Sequence, residues 1–231
     1  MILTERDRLF VLTGAGISAE SGLATFRGSG GLWNGYRVDQ VATPEAWAAD
    51  PAMVWNFYSM RRRDALAAQP NPAHLALAAI EQKMGDRFYL CTQNVDDLHE
   101  RGGSVRVHHM HGSLFASRCV RCNLPFDDRK VYEIAGELPL CAQCGEAVRP
   151  HIVWFGEIPL DMDNIYRQLD RATQLLVVGT SGSVYPAAGL VHIANERGIR
   201  TMYVGPEEPL NADAFDEIVL GSATRALPSI F

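Results

Sequence analysis

Short apolar runs that each end in a glycine or a polar cluster constrain the fold of this chain more than any other feature. Such a run predicts a buried strand that is followed by a turn, and helix-like stretches lie between the runs. The strand candidates are residues 9–12, 87–92, 105–109, 175–179 and 200–204. Strands that alternate with helices predict an α/β fold with a doubly wound, parallel, Rossmann-like sheet, which binds its ligands at the carboxyl ends of the strands.

Prolines mark where several helices of this fold should begin. A proline is well tolerated at the first helical position, where its missing N–H is not needed. Helix starts are therefore predicted at Pro44, Pro51, Asn71-Pro72 and Pro186.

Four of the five cysteines form two CxxC pairs, Cys119 with Cys122 and Cys141 with Cys144. Four thiolates at this spacing predict a tetrahedral structural zinc site, because no further ligand or water-activating group is evident nearby. The alternatives are unmetallated cysteines or a redox pair, although a redox CxxC motif would come singly at a helix start. Around the cysteines the strand and helix alternation is lost, and we expect Arg149-Pro150 to close this inserted module.

The composition limits the possible partners and location. A hydrophobic content of 47% allows one sizeable core. The net charge of -6 disfavours nonspecific nucleic-acid binding and mildly favours a cationic partner such as a lysine-rich peptide. The charged start MILTERDRLF is atypical of a signal peptide, and no run approaches the roughly 18 apolar residues of a membrane span. We therefore expect a cytoplasmic monomer without membrane or nucleic-acid partners.

A glycine turn, Gly14-Ala15-Gly16, follows the first strand candidate and offers backbone N–H groups to a pyrophosphate. A plain structural turn is the alternative. The turn departs from the dehydrogenase fingerprint, since a third glycine and an acidic ribose-binding residue are missing, and this disfavours hydride transfer.

Two further strand candidates end in polar residues suited to catalysis or binding. After one strand candidate, the side chains of Gln93, Asn94 and Asp96 can form hydrogen bonds with a ribose or a carboxamide. The alternative is that Asn94 or Asp96 caps a helix. His111, beside Gly112, has the near-neutral pKa of a general base, although a lone histidine is more often structural.

Taken in their order, these motifs resemble one family, the sirtuins, which are NAD-dependent protein lysine deacylases. The resemblance covers nearly the whole chain. The matching stretches are residues 14–22, 25–28, 92–96 and 111–113, the paired CxxC motifs, and residues 153–157, 179–181 and 186–188.

The resemblance implies that NAD is the co-substrate and that the zinc takes no part in the reaction. His111 would deprotonate a ribose hydroxyl as the catalytic base. The NAD site would comprise Gly14, Ala15, Gly16, Phe26, Arg27, Gln93, Asn94, Asp96, Gly179, Thr180 and Ser181. The acyl-lysine tunnel and peptide site would comprise Val153, Trp154, Phe155 and Gly156. One departure is that, where the family has an asparagine that binds the adenosine ribose, this chain reads Tyr203-Val204-Gly205-Pro206-Glu207. Glu207 or a main-chain group is the alternative ligand.

Tyr58 and Arg61 lie three residues apart in a predicted helix, residues 54–67, and so share one face. A phenol and a guanidinium can together clamp a carboxylate, and the pair resembles the Tyr-x-x-Arg signature of the sirtuins that remove succinyl, malonyl and glutaryl groups. In isolation, Tyr58 would be a core residue and residues 61–63 a solvated basic face.

The resemblance implies an enzyme that removes acetyl and also succinyl or malonyl groups from lysines of proteins or peptides, giving nicotinamide and O-acyl-ADP-ribose. Mono-ADP-ribosyl transfer at the same NAD site and a noncatalytic NAD-sensing or zinc-scaffold module are the alternatives. We expect a single catalytic domain over residues 1–231. Its parts would be a Rossmann-like core of about 1–27, 75–113 and 149–231, a helical module of about 28–74 and a zinc module of about 114–148.

Overall fold

The structure is a computed structural model that describes residues 3–25, 32–33 and 35–230. Within these residues the strands are β1 (Leu9–Thr13), β2 (Leu32–Trp33), β3 (Tyr36–Arg37), β4 (Phe88–Thr92), β5 (Val107–His109), β6 (Gly112–Cys119), β7 (Pro125–Asp127), β8 (Val148–Ile152), β9 (Gln174–Val178), β10 (Arg200–Gly205) and β11 (Glu217–Leu220). The helices are α1 (Gly16–Ala19), α2 (Val38–Val41), α3 (Pro44–Ala49), α4 (Pro51–Ala67), α5 (Pro72–Met84), α6 (Leu98–Arg101), α7 (Met162–Asp170), α8 (Leu190–Glu196) and α9 (Ala223–Ile230). Short 3₁₀ turns cover Gly85–Arg87, Ala187–Gly189 and Ala212–Ala214.

Six strands form one parallel sheet in the order β11-β10-β9-β1-β4-β5. From β1 the chain builds outward through β4 and β5, and then returns to the other side of β1 with β9. The order therefore reverses between β1 and β9, which is where a doubly wound sheet opens a ligand-binding crevice. The prediction of a doubly wound Rossmann-like sheet is confirmed.

All five residues of β1 are buried, because helices cover both faces of the sheet. Leu9 and Val11 pack against α5 and α9 on one face. Phe10 and Leu12 pack against α7 and α8 on the other face. The strand therefore reads as a continuous apolar run, and its C-terminal end is fixed rigidly in the middle of the fold.

The helix starts predicted from Pro44, Pro51 and Pro72 are confirmed. Each proline is the first residue of its helix and follows a side chain that caps the helix. The capping oxygens accept backbone N–H groups at 3.0, 2.8 and 3.0 Å, in the pairs Thr43 with Ala46, Asp50 with Met53, and Asn71 with Ala73. In the described residues, no helix has the length and apolar character that crossing a membrane requires.

A smaller antiparallel sheet, in the order β7-β6-β8, carries the cysteine region. Arg149-Pro150 does not close this region, contrary to the expectation, because both residues lie inside β8 and Pro150 is paired with Ser117 of β6. A proline is compatible with this position since β8 is an edge strand and needs no N–H donor on its open side.

The third apolar cluster joins the helices of residues 38–67 to the small sheet. Phe57 and Tyr58 of α4 lie in one cluster with Leu114 and Phe115 of β6 and with Trp154. These residues form a wall that reaches the end of the large sheet, because Val95, which follows β4, belongs to the same cluster.

Arg62 contradicts the alternative of a solvated basic face, because its side chain is fully buried between α4 and the small sheet. It forms an ion pair of 3.1 Å with Asp128 and lies over the ring of Trp55. Its other hydrogen bonds go to the carbonyls of Leu114, Ala116 and Lys130 and to the hydroxyl of Ser117. Arg62 therefore ties two segments of the chain, residues 114–117 and 128–130, to α4.

We expect Arg62→Met to lower the free energy of unfolding by about 3–5 kcal/mol, because it leaves the Asp128 carboxylate buried without its cation. Urea denaturation monitored by circular dichroism measures this change. The matched control is Arg63→Met, since the Arg63 side chain is 61% exposed and contributes at most about 1 kcal/mol through its pair with Glu133. Equal stability of the two variants would contradict the role given to Arg62.

Candidate active site

Three glycines interlock at the point where the strand order reverses. Gly14 and Gly16 follow β1, and Gly179 follows β9 with a φ of 63°. The Gly16 N–H donates to the Gly179 carbonyl at 2.8 Å, and a Cβ on Gly16 would lie 2.7 Å from Gly179 Cα. No side chain fits there, because the main chains of the two turns are in direct contact.

The predicted adenosine-side residues lie in the second turn of this pair. Thr180 is held by Tyr203, whose hydroxyl donates to the Thr180 carbonyl at 3.0 Å. The hydroxyl of Ser181 is 2.6 Å from that of Ser183. Tyr203 of β10 thus acts on this turn through its side chain.

A polar cluster lies across the crevice at the end of β4. The Asn94 amide donates to the Ser18 hydroxyl at 3.1 Å, and that hydroxyl donates to the Asp96 carboxylate at 3.2 Å. Asn94 and Asp96 are both buried, and burial raises the pKa of Asp96. Ser18 of α1, the helix that begins at the glycine turn, therefore links the predicted residues Asn94 and Asp96.

Hydroxyl groups of β1 and β4 also hold the loop that carries Asn94. The Asn94 main-chain N–H donates to Thr92 Oγ1 at 3.0 Å, and Thr13 Oγ1 donates to the same hydroxyl at 2.8 Å. His99 Nε2 lies 2.9 Å from Thr13 Oγ1. This chain of hydrogen bonds joins the ends of β1 and β4.

Gln93 provides a direct test of whether the crevice fits a bound group. Its Nε2 is buried and lacks a hydrogen-bond partner within the residues described. A buried amide donor without a partner is costly, and a ribose hydroxyl is a suitable acceptor. The donor set of this loop therefore fits the ribose and carboxamide of a nicotinamide nucleotide.

His111 lies on the same side of the crevice, directly before β6. Its Nδ1 is 3.1 Å from the Gln93 carbonyl, so Nδ1–H is the donor and the lone pair of the neutral ring is on Nε2. Burial lowers the pKa of His111, which keeps the ring neutral at pH 7. Gly112 is required next to it, since a Cβ there would lie 2.1 Å from the carbonyl of His151. With the proton on Nδ1 and the lone pair on Nε2, His111 has the state that a general base requires.

The residues predicted to line the acyl-lysine tunnel, 153–156, are joined to His111 by a main-chain hydrogen bond. The Val153 N–H donates to the His111 carbonyl at 2.9 Å. Trp154 is buried and donates through Nε1 to the Tyr58 hydroxyl at 3.1 Å. Phe155 is 44% exposed, and Gly156 has a φ of 90°.

Arg61 is also buried, so the alternative of a solvated face is wrong for this residue as well. Its Nη1 donates to the Ala24 carbonyl at 3.2 Å, and its guanidinium lies 4.8 Å from the centre of the Trp33 ring. The Nε is buried without a hydrogen-bond partner among the described residues. Burial lowers the pKa of Arg61, and the charge of Asp96 opposes this effect. A buried cation with an unused donor is suited to an anionic ligand.

Comparison with known families agrees with this geometry. The model of the Sir2 family matches residues 14–186, which include both glycine turns, the polar cluster, His111 and all four paired cysteines. The chain belongs to the Sir2 family. The resemblance predicted from the motifs is confirmed.

Relatives in the Sir2 family match over nearly their full length. An NAD-dependent protein deacylase of Caulobacter vibrioides is 49% identical over 96% of this chain and 94% of the relative. An NAD-dependent protein deacylase of Pasteurella multocida is 46% identical over 98% of this chain and 97% of the relative. A solved Sir2 homologue in complex with NAD superposes with a TM-score of 0.90 at 43% identity, covering 98% of this chain and 90% of that one.

The four paired cysteines of this Sir2 family member fit a zinc ion. Their sulfur atoms all lie within 4.8 Å of one another, and a tetrahedral site with bonds of about 2.3 Å needs sulfur separations of roughly 3.8 Å. Each CxxC pair forms the same turn, since Asn123 and Gly145 follow with φ values of 54° and 75°. Zinc at this position would join the end of β6 to the segment before β8.

The motifs did not predict the ion pairs next to residues 153–156. Arg149 and Arg118 both bind the Glu157 carboxylate, at 2.8 and 3.0 Å. Glu157 in turn accepts the main-chain N–H of Trp154 at 2.8 Å. Arg149 and Arg118 lie 8 and 39 residues from Glu157 in the sequence, so no local sequence pattern predicts these ion pairs. Phe26 and Arg27, which the resemblance places in the NAD site, lie outside the described residues.

Proposed function

We propose that this member of the Sir2 family is an NAD-dependent protein lysine deacylase that yields nicotinamide and O-acyl-ADP-ribose. The observation that carries the proposal is that neutral His111 and the buried Asn94–Ser18–Asp96 cluster face one crevice beside the interlocked glycines. The deacylase names of relatives at 46–49% identity support it.

The residues have separate roles in this proposal. NAD, when bound, supplies the ribose carbon that the acyl oxygen attacks as nicotinamide leaves. The turns with Gly14 and Gly179 hold the nucleotide, while Asn94 and Asp96 hold the carboxamide end. His111 Nε2 accepts the proton of a ribose hydroxyl, because its Nδ1–H is already committed to Gln93.

Mass spectrometry of the protein incubated with NAD and an acyl-lysine peptide tests the activity. Acetyl-lysine and succinyl-lysine peptides are compared with and without NAD. Peptide deacylation that requires NAD supports the proposal. Labelled protein without deacylation would instead indicate mono-ADP-ribosyl transfer, and absence of turnover would indicate a noncatalytic module.

We propose further that Tyr58 and Arg61 bind the carboxylate of succinyl or malonyl groups. Both side chains are buried, and the Arg61 Nε lacks a hydrogen-bond partner among the described residues. The indole N–H of Trp154 occupies a lone pair of the Tyr58 oxygen, so the phenol proton remains available to a ligand.

Arg61→Met is expected to lower kcat/KM for succinyl-lysine by roughly 10- to 100-fold relative to acetyl-lysine, since a hydrogen bond to a charged group contributes about 1.5–3 kcal/mol. Competition between the two peptides measures the ratio directly. Arg63→Met is the control, because Arg63 is exposed on the same helix. An unchanged ratio in Arg61→Met would exclude the clamp.

The remaining expectations are part of the same proposal. A cytoplasmic monomer acting on acyl-lysine proteins or peptides, without nucleic-acid partners, is consistent with the net charge of -6. The division into a Rossmann-like core, a helical module and a zinc module is a proposal about how the crevice is assembled. Size-exclusion chromatography with light scattering tests the monomer.

A further inference from the structure

His109, at the end of β5, is a second histidine beside the proposed active site, and the reaction does not use it. Its Nδ1 lies 2.9 Å from the main-chain carbonyl of Asn94, and its Nε2 lies 2.7 Å from Glu100 Oε1. The ring is largely buried, with 17% of the side chain exposed, whereas 40% of the Glu100 side chain is exposed.

Both contacts of His109 require a donor. A carbonyl and a carboxylate can only accept, so each ring nitrogen must carry a hydrogen and the ring must be an imidazolium. Burial by itself lowers the pKa of His109, but the hydrogen bond and charge of Glu100, together with the hydrogen bond to the Asn94 carbonyl and the charge of Asp96, raise it overall. His99, the other titratable neighbour, is kept neutral because burial lowers its pKa strongly.

The position of this pair relative to the polar loop is specific. His111 binds the carbonyl of Gln93 and His109 binds the carbonyl of Asn94, so two histidines hold two successive peptide groups. The Asn94 N–H, which shares a peptide group with the Gln93 carbonyl, donates to Thr92 Oγ1. Without His109, the Asn94 carbonyl loses the donor that fixes the peptide group between Asn94 and Val95.

We propose that Glu100 and His109 form a positioning pair that locks the Asn94 peptide and thereby aims Asn94 and Asp96 at the carboxamide end of NAD. This inference rests on the proposed function, since it assumes that these two side chains bind that end. His109 touches no reactant and acts only through the loop, so it is a positioning residue.

The pair makes the loop sensitive to alkaline pH. Because the folded pKa of His109 is above its unfolded value of about 6.5, its contribution is complete below that value and is lost as pH rises through the folded pKa. The ring then keeps one proton and must release either Asn94 or Glu100. NAD binding should therefore weaken on the alkaline side, while His111, which is already neutral, does not change.

The test compares Glu100→Gln with Asp170→Asn, a control that neutralises another partly exposed carboxylate, one paired with Arg197. Nuclear magnetic resonance of the histidine rings measures the pKa of His109, and calorimetry measures binding of NAD and of ADP-ribose. In Glu100→Gln we expect the pKa of His109 to fall by at least about one unit. The Kd for NAD should rise roughly 3- to 10-fold at pH 7.5, while the Kd for ADP-ribose changes much less.

A second variant separates positioning from charge. In His109→Asn the amide nitrogen replaces Nδ1 as donor to the Asn94 carbonyl and does not titrate. The Kd for NAD at pH 7.5 should therefore stay close to the wild-type value, and the weakening of NAD binding at alkaline pH should disappear. Equal weakening of NAD and ADP-ribose would indicate general destabilisation and overturn the proposal, as would an unshifted His109 titration. Wild-type protein without deacylase activity would contradict only the proposed function, because these readouts need no turnover.

Discussion

His111→Asn is expected to lower kcat/KM for deacylation by about 10²- to 10⁴-fold, the usual contribution of a general base. The amide nitrogen of asparagine can replace Nδ1 as donor to the Gln93 carbonyl, so the substitution removes the base at Nε2 and little else. NAD binding measured by calorimetry should remain nearly unchanged. The loss should therefore appear in turnover.

The control for this prediction is His192→Asn, which changes an exposed histidine of α8 far from the polar loop along the chain. It should behave as wild type. Wild-type turnover by His111→Asn would mean that another group accepts the ribose proton. Loss of NAD binding would mean instead that His111 supports the pocket.

Cys141→Ala is expected to abolish zinc binding and to lower stability and activity together. The zinc would tie the end of β6 to the segment before β8, and β8 leads directly into residues 153–156, which we propose line the acyl-lysine tunnel. A loss of about 3 kcal/mol would lower the Tm by roughly 6–12 °C in a domain of this size. Differential scanning calorimetry and metal analysis measure the two effects.

Cys91→Ala is the matched control for Cys141→Ala. Cys91 is fully buried in β4, as its apolar run predicted, and it lies apart from the four paired cysteines. This variant should keep its zinc and lose only the packing of one sulfur atom, about 1 kcal/mol. A Cys141→Ala protein that is zinc-free yet as stable and active as wild type would contradict the structural role of the metal.

The sequence predicted those parts of the fold that depend on local pattern. The buried strand of Leu9 to Leu12 was recognisable because both of its faces are covered, and the helix starting at Pro51 because a cap and a proline are adjacent in sequence. The small sheet was not predicted. Its strand β6 has a register irregularity between Gly112 and Ser117, and β8 contains Pro150, which reads locally as a boundary.

The contacts that give the proposed site its electrostatic character could not be predicted in the same way. Arg62 and Asp128 are 66 residues apart, and nothing in an Arg-Arg-Arg run distinguishes a buried residue from an exposed one. The pairing of His109 with Glu100 likewise depends on how β5 and α6 meet. The motifs placed His111, Asn94 and Asp96 at strand ends, but only the fold specifies what holds them.

The adjacent arginines of α4 have a practical consequence for protein engineering. Arg61 faces the proposed ligand wall and Arg62 faces the small sheet, so one turn of helix carries a candidate specificity determinant beside a structural one. A combinatorial library that varies residues 58 and 61 while keeping Arg62 should sample new acyl selectivities among folded proteins. A library that also varies residue 62 should consist mainly of unfolded clones, and a screen for activity would mistake their instability for lost specificity.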